Sequence, residues 1–223
     1  MDGILRKLPI GIQTFEKLRE GDYLYVDKTA LVWRIASTET PYFLSRPRRF
    51  GKSLLLSTFE AYFEGKKELF EGLAIADMEK EWKTYPVFHL DLNAEKYDSP
   101  QALVEILSRQ LTQWELKYGK GEDEETLSGR FAGVIRRASE QADRGVVVLV
   151  DEYDKPLLQA LDDGALLDDY RKTLKAFYGV LKSSDRYLRF VFLTGVTKFA
   201  QVSVFSDLNQ LNDILSLIHI SEP

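Results

Sequence analysis

The stretch "FLSRPRRFGKSLLL", residues 43–56, decides the fold class of this chain. It passes from a short apolar segment through a basic turn into Gly51, Lys52 and Ser53, and then into an apolar sequence of helical character. A turn between a buried strand and a helix aims backbone N–H groups at one point, and the positive end of the helix favours an anion there. The stretch therefore predicts a phosphate-binding loop. The alternative is a solvated basic turn in front of a core helix.

The residues that follow the turn each suit a role in holding a chain of phosphates. Gly51 lets the backbone come close to the phosphates, where a side chain would intrude. Lys52 would bridge the terminal phosphates, and the hydroxyl of Ser53 would ligate Mg²⁺. The residues expected to contact a nucleotide are Arg48, Arg49, Phe50, Gly51, Lys52, Ser53 and Leu54.

The loop departs from the general pattern G-x-x-x-x-G-K-[ST] at its first position, where this chain has Arg46. The lost glycine costs the turn flexibility, for which the rigid ring of Pro47 substitutes. Arg48 and Arg49 add positive charge beside the expected anion. These letters by themselves favour the phosphate loop over the basic turn only moderately.

A second motif, "GVVVLVDEYD" at residues 145–154, is an apolar run that ends in two carboxylates. In P-loop enzymes a strand of this kind ends in an aspartate that holds the magnesium shell, and Asp151 is the candidate. Glu152 is placed to orient and deprotonate an attacking water. The alternative is a strand that ends in a solvated acidic turn. The two motifs occur in the order that P-loop enzymes have, and together they strongly favour the catalytic interpretation.

A third apolar run, "RFVFLTGVTK" at residues 189–198, ends in Thr194 and Gly195. A polar residue at such a strand end can touch the γ-phosphate or the attacking water, although Thr-Gly also forms an ordinary turn. We therefore predict Thr194 as a third catalytic residue beside Glu152 and Lys52.

The fold class follows from the alternation of short apolar runs with longer amphipathic ones. The short runs are β-branched or aromatic and suit strands that are buried on both faces. They lie at residues 42–44, 87–90, 146–150 and 188–193. The amphipathic runs between them have helical spacing, and the one after Ser99 begins with Pro100 and ends at Gly119. Strands that alternate with helices of this length predict an α/β fold, a mainly parallel sheet between two helical layers.

Length and composition set bounds on the class of protein. The chain has 223 residues, of which 44% are hydrophobic, which suits one sizeable α/β domain or one and a half smaller ones. Its net charge of −5 argues against nucleic acid or an anionic membrane as the main partner. The absence of cysteine excludes disulfides and thiol catalysis. No apolar run approaches the ~20 residues that span a bilayer, and the N-terminus lacks a signal-peptide pattern, so a cytoplasmic location is expected.

The chain resembles the predicted AAA-type ATPases of the P-loop class, which are often fused to a C-terminal nuclease-like domain. Nearly the whole chain takes part in the resemblance, and the strings "RPRRFGKS" and "DEYDKP" are its most specific parts. The strings that carry it are "LPIGIQTFEKLREGDYLYVDKT" (8–29), "FLSRPRRFGKSLLLSTFEAYF" (43–63), "VFHLDLN" (87–93), "VVLVDEYDKP" (147–156), "FLTGVTKF" (192–199) and "SVFSDLNQLNDI" (203–214). The phosphate loop of that family has the form seen here, without the first glycine.

The resemblance implies a set of ligands and roles. ATP would be bound by Lys52 and Ser53, Mg²⁺ would be held through Ser53 and Asp151, and Glu152 would be the catalytic base. It also implies that residues 25–29, "YVDKT", pack near the nucleotide, although a helix cap and a surface charge explain Asp27 and Lys28 equally well.

The C-terminus departs from the family after residue 214. Residues 215–223, "LSLIHISEP", fit no expected element and resemble a non-native tail, which leaves residues 1–214 as the ATPase domain, with an N-terminal segment 1–40 packed on its core. A last core strand, a helical lid and any nuclease-like domain would then be missing. The strand at 42–44 would lie at an edge of the sheet and favour association between chains.

The P-loop class also implies an order for the four strands. The strand at 42–44 should lie beside the strand at 189–194, followed by the strand at 146–150, with 87–91 outermost. Three function classes stay open at this point. They are a Mg²⁺-dependent ATPase that drives an attached domain, a nucleotide-gated binding module with little hydrolysis, and a P-loop kinase. The carboxylate of Glu152 beside Asp151 favours activation of water, and hence the ATPase over the kinase.

Overall fold

The computed structural model describes residues 7–38, 40–93, 96–197, 204 and 212–214. Residues 215–223, for which a non-native tail was expected, lie outside this described part. Eight α-helices are defined within it: α1 Phe15–Glu20, α2 Thr29–Ala36, α3 Lys52–Phe63, α4 Ala74–Met78, α5 Pro100–Tyr118, α6 Leu127–Ala142, α7 Lys155–Gln159 and α8 Gly164–Ser183. The strands of the described part are β1 Tyr42–Ser45, β2 Val87–Asp91, β3 Val146–Asp151, β4 Leu188–Gly195 and β5 Asn212–Asp213.

The five strands form one sheet in the order β2-β3-β4-β1-β5, and every neighbouring pair is parallel. This confirms the predicted α/β class and the predicted order of the four longer strands. Asp91 lies opposite Asp151 in the register of β2 with β3, and Leu44 lies opposite Thr194 in that of β1 with β4. The carboxyl-terminal ends of these strands therefore lie side by side, at the end of the sheet where open α/β sheets bind their ligands.

The expectation that β1 lies at the edge of the sheet is wrong. Asn212 and Asp213 pair with Tyr42 and Phe43 on the outer side of β1, and the N–H of Asn212 donates to the carbonyl of Pro41 at 3.0 Å. Two polar residues are too short to give a recognisable strand pattern, so this pairing is decided by tertiary contacts. The argument that an open edge of β1 drives association between chains loses its premise.

The core lies in two layers, one on each face of the sheet. On one face, β2 and β3 pack against α5, α6 and α8 through aromatic side chains, and the rings of Phe131 and Phe177 stack with centroids 4.4 Å apart. On the other face, α3 packs on the sheet through Phe59, and the centroids of the Phe59 and Phe192 rings lie 4.8 Å apart. Both faces of the central strands are covered, which explains why their sequences are continuously apolar.

The N-terminal helices belong to the layer that contains α3. Phe15 of α1 and Val32 of α2 are buried in the same apolar cluster as Phe59. The N–H of Phe15 also donates to Ser57 Oγ at 2.8 Å. Helix α1 is thus held against α3, the helix that follows the Gly-Lys-Ser turn.

Candidate functional site

The turn between β1 and α3 has the backbone shape that its glycine permits. Gly51 caps the N-terminus of α3 with φ +74°, in the left-handed region that glycine adopts without strain. A Cβ atom added to Gly51 would meet nothing within 4 Å in the described structure. The backbone conformation, and not crowding by protein atoms, therefore requires glycine here. Arg49, at φ +70°, holds the same conformation with a side chain.

Lys52, the first residue of α3, turns its ammonium group back into the loop. Its Nζ donates to the carbonyl oxygens of Arg46 at 2.9 Å and Pro47 at 3.2 Å, and it forms an ion pair with Glu152 Oε1 at 3.0 Å. The side chains of Lys52 and Glu152 are only 3% and 10% exposed. The two predicted catalytic residues of opposite charge are thus in direct contact.

A hydrogen-bonded chain of three side chains joins the two motifs to β4. Ser53 Oγ donates to Asp151 Oδ2 at 2.5 Å, and Thr194 Oγ1 donates to Asp151 Oδ1 at 2.5 Å. Both carboxylate oxygens of Asp151 are therefore engaged by hydroxyl groups. Ser53 and Thr194 lie 98 and 43 positions from Asp151 in the sequence, and both contact it at the end of the sheet.

Glu152, the residue directly after β3, has a strained backbone. Its φ is +52°, in the left-handed region that a non-glycine residue adopts at a cost. The N–H of Glu152 donates to Thr194 Oγ1 at 3.3 Å, and the next N–H, of Tyr153, donates to the carbonyl of Thr194 at 2.9 Å. Thr194 thus holds both the acidic strand end and the turn that follows it.

An open cavity of about 700 Å³ lies over this turn. Small-molecule sites in proteins typically have ~300–1,000 Å³. The residues that line it are Pro9, Ile10, Gly11, Ile12, Gln13, Arg48, Arg49, Gly51, Lys52, Ser53, Leu54, Asn93 and Glu152. Of the predicted site residues, Phe50, Asp151 and Thr194 are not in this lining, and Phe50 is 63% exposed.

Sequence reasoning missed one wall of the cavity. Residues 9–13 run along it, whereas residues 25–29, expected near a nucleotide, do not line it. Asp27 instead accepts from the N–H and hydroxyl of Thr29 and from the N–H of Ala74, which fixes α2 against α4. The available signal was the short Pro- and Gly-containing string before α1, which has no helical or strand periodicity.

His89, in β2, is hydrogen-bonded through Nδ1 to Glu60 Oε2 at 2.9 Å. Burial acts to lower the pKa of this imidazole, but the hydrogen bond and charge of Glu60, with the charges of Asp151 and Asp91, raise it above its ordinary value. Asp91 is exposed at the end of β2 and accepts from the N–H of Asn93 at 2.7 Å.

The donor set at the strand ends fits Mg²⁺. Ser53 and Asp151 offer a hydroxyl and a carboxylate, the hard oxygen ligands that this ion prefers. The described residues contain no group of three or more His, Asp or Glu side chains that could hold a metal ion by themselves. Mg²⁺ in phosphate sites is held by one or two protein oxygens together with phosphates and water, so no such group is needed.

A parallel α/β sheet whose Gly-Lys-Ser turn faces an acidic strand end defines a P-loop NTPase-like core. A family model described as "Predicted AAA-ATPase" matches residues 9–205, and the chain belongs to this family. It is also 44% identical over 210 residues to a protein of Azotobacter chroococcum mcd 1 described as "Uncharacterized protein in vnfD 5'region". That match takes in 94% of this chain and 41% of the relative, so the chain spans less than half of the relative's length. No solved structure matches the chain significantly.

No helix in the described part of the chain combines the length and apolar character that a membrane crossing requires.

Proposed function

We propose that this chain is a Mg²⁺-dependent ATPase domain whose hydrolytic cycle drives a conformational change in an attached domain or partner. The observation that carries the proposal is the Lys52–Glu152 ion pair at the mouth of the cavity, beside the Ser53–Asp151 hydrogen bond. These contacts bring together a cation for phosphates, two oxygens for a metal and a carboxylate for a water.

ATP binding would rearrange the charges in this site. The terminal phosphates would compete with Glu152 for the ammonium group of Lys52, and Arg48 and Arg49 at the cavity wall would add to the attraction. Once Lys52 faces the phosphates, the carboxylate of Glu152 is free to accept a proton. In our proposal, the ion pair marks the resting state of the enzyme.

Glu152 would then act as the general base. It would take one proton from a water whose oxygen forms a bond to the γ-phosphorus, while the bond from that phosphorus to the bridging oxygen breaks and ADP leaves. Mg²⁺ held by Ser53 and Asp151 would offset the negative charge of the phosphates. Thr194, predicted to touch the γ-phosphate or the attacking water, is buried against Asp151 and does not line the cavity, and in our proposal it orients the two acidic residues instead.

Measurements of ATP binding and phosphate release test the proposal. Lys52→Ala should abolish most ATP affinity in calorimetric titration, because the loop loses its buried cation. Glu152→Gln should bind ATP like the parent and release phosphate about 10²–10⁴-fold more slowly. Lys66→Ala is a matched control, since Lys66 forms surface ion pairs with Glu16 and Glu64 and does not line the cavity. Equal ATP affinity of Lys52→Ala and the parent would rule out the phosphate loop.

The alternatives give different results in the same experiment. A nucleotide-gated binding module would bind ATP through Lys52 but release phosphate at a rate that Glu152→Gln leaves unchanged. A kinase would transfer the γ-phosphate to an added acceptor faster than to water. The nuclease-like domain that the resemblance implies, and any dependence of the cycle on it, would be tested with a full-length relative.

A further inference from the structure

Residues 195–197 lie between the phosphate loop and the turn after β3, and we call them the bridging segment. On one side, the N–H of Arg46 donates to the carbonyl of Gly195 at 3.1 Å. Ser45 Oγ donates to the carbonyl of Val196, also at 3.1 Å. The start of the phosphate loop is therefore fixed to the bridging segment by two hydrogen bonds.

The other side of the bridging segment is held by Asp154. One carboxylate oxygen, Oδ2, accepts from the N–H of Val196 at 3.0 Å, from the N–H of Thr197 at 2.7 Å and from Thr197 Oγ1 at 2.9 Å. The hydroxyl of Tyr153 donates to the carbonyl of Thr197 at 2.9 Å. The backbone groups of the bridging segment are thus divided between the phosphate loop and the turn that contains Glu152.

The free-energy cost of burying the Asp154 carboxylate indicates that its contact with the bridging segment has a role beyond local structure. Its side chain belongs to a residue that is 0% exposed, and burial of a carboxylate is expensive unless hydrogen bonds compensate it. Asp154 is the N-cap residue of α7, yet its side chain makes no capping hydrogen bond to that helix. Its hydrogen-bond donors are instead Val196 and Thr197, which lie 42 and 43 positions further along the chain.

The packing around Gly195 makes the connection stiff. A Cβ atom at this position would collide with the ring of Tyr153 and lie 2.9 Å from Asp154 Oδ1. The ring of Tyr153 also meets Phe43 of β1 edge to face, with centroids 5.4 Å apart. Because these groups touch without intervening space, a shift of the phosphate loop is passed to the turn after β3.

We propose that Asp154 is a positioning residue that couples the phosphate loop to Glu152 through the bridging segment. The inference rests on the proposed ATPase function. Glu152 sits in its left-handed conformation between Asp151, which is fixed by Ser53 and Thr194, and Tyr153–Asp154, which are fixed by the bridging segment. Asp154 holds the second of these anchors. Loss of its charge would loosen the backbone at Glu152, while the contacts of Lys52 with Arg46 and Pro47 and of Ser53 with Asp151, which do not involve Asp154, would stay in place.

Asp154→Asn in the 223-residue chain tests this role. The variant keeps the shape of the side chain but replaces charged acceptors with a neutral amide. We expect kcat for ATP to fall about 10- to 100-fold, while the dissociation constant for ATP stays within about threefold of the parent. Asp163→Asn is the matched control, since Asp163 accepts from two backbone N–H groups at the start of α8, away from the cavity.

A double variant separates positioning from general loss of structure. If Asp154 acts through Glu152, adding Asp154→Asn to Glu152→Gln lowers kcat no further than Glu152→Gln by itself. Multiplicative losses, or an equal loss of kcat in Asp163→Asn, would overturn the proposal.

Amide hydrogen exchange without nucleotide distinguishes failure of this inference from failure of the proposed function. Asp154→Asn should speed exchange at the amides of Glu152, Tyr153, Val196 and Thr197 about tenfold, and Asp163→Asn should not. Unchanged exchange at Glu152 and Tyr153 would overturn the positioning role whether or not the parent hydrolyses ATP. A parent without ATP turnover would instead contradict the proposed function.

Discussion

The hydroxyl of Ser53 lies 2.5 Å from Asp151 Oδ2, and this contact joins the first turn of α3 to the end of β3. The two strands that lead to these residues are not neighbours, because β4 lies between them. The contact therefore depends on the whole central sheet, and it places the two proposed magnesium ligands side by side.

Ser53→Ala should raise the Mg²⁺ concentration needed for half-maximal ATP turnover. An interaction with a charged group contributes ~1.5–3 kcal/mol, which corresponds to roughly a 10- to 100-fold change. A titration of phosphate release against Mg²⁺ measures this. Ser57→Ala in the same helix serves as the control, since Ser57 binds the N–H of Phe15, and it should lower stability without altering the Mg²⁺ titration.

Thr194→Val should slow ATP turnover about tenfold or more and lower the melting temperature. The substitution keeps the volume but leaves Asp151 Oδ1 and the N–H of Glu152 without their hydroxyl partner, and a buried unsatisfied group costs ~1–3 kcal/mol. Thr194→Ser retains the hydroxyl and should restore most of the activity. Equal rates for the valine and serine variants would show that the hydroxyl is not used.

Glu115→Ala should destabilise the fold without changing ATP affinity. Arg130 donates to both oxygens of Glu115 at 2.8 and 2.7 Å between α6 and α5, and the side chains of Arg130 and Glu115 are only 10% and 6% exposed. Removal of one partner leaves a buried charge, which costs ~3–5 kcal/mol. Chemical denaturation should show this loss. Glu140→Ala, which removes a surface ion pair with Arg136 in α6, should cost no more than about 0.5 kcal/mol.

His89 should make stability depend on pH. Glu60 of α3, Asp91 of β2 and Asp151 of β3 together raise its pKa in the folded state above the ordinary value of 6.5, despite burial. The protonated form is therefore favoured by folding. Its contribution is fully present below about pH 6.5 and is lost as the pH rises through the raised pKa.

Melting curves of the parent and His89→Gln between pH 5 and 9 would measure this effect. The difference in melting temperature should be largest at the acidic end and shrink towards the basic end. Glu60→Gln removes the main partner and should flatten the same dependence. A difference that grows with pH would contradict the raised pKa.

The four longer strands were predictable because each is a short, mostly apolar run bounded by turns, and their order followed from the P-loop class. Strands β1, β3 and β4 are largely buried on both faces, whereas β2 alternates buried with partly exposed residues. The long helices were equally predictable from the sequence. Helix α5 begins at Pro100 and ends before Gly119, as the sequence indicates. Local pattern carries this information. The same pattern could not reveal β5, since Asn212 and Asp213 have no strand propensity.

The residue types of the site and their convergence at the strand ends were predictable, whereas the individual side-chain contacts were not. The two motifs and their order predicted Lys52, Ser53 and Asp151 as site residues, and the structure places these residues together. The pairing of Lys52 with Glu152 depends on contacts between segments 100 positions apart, which no local pattern contains. The wall formed by residues 9–13 was missed for the same reason.

The left-handed backbone of Glu152 is linked to its ion pair with Lys52. Such a conformation costs a non-glycine residue ~1–3 kcal/mol, and glycine would adopt it without that cost. Glycine at position 152 would nevertheless leave the buried ammonium group of Lys52 without its carboxylate partner, which costs ~3–5 kcal/mol. The strain is therefore smaller than the cost of removing it. Selection for stability and selection for hydrolysis both retain a glutamate at this position.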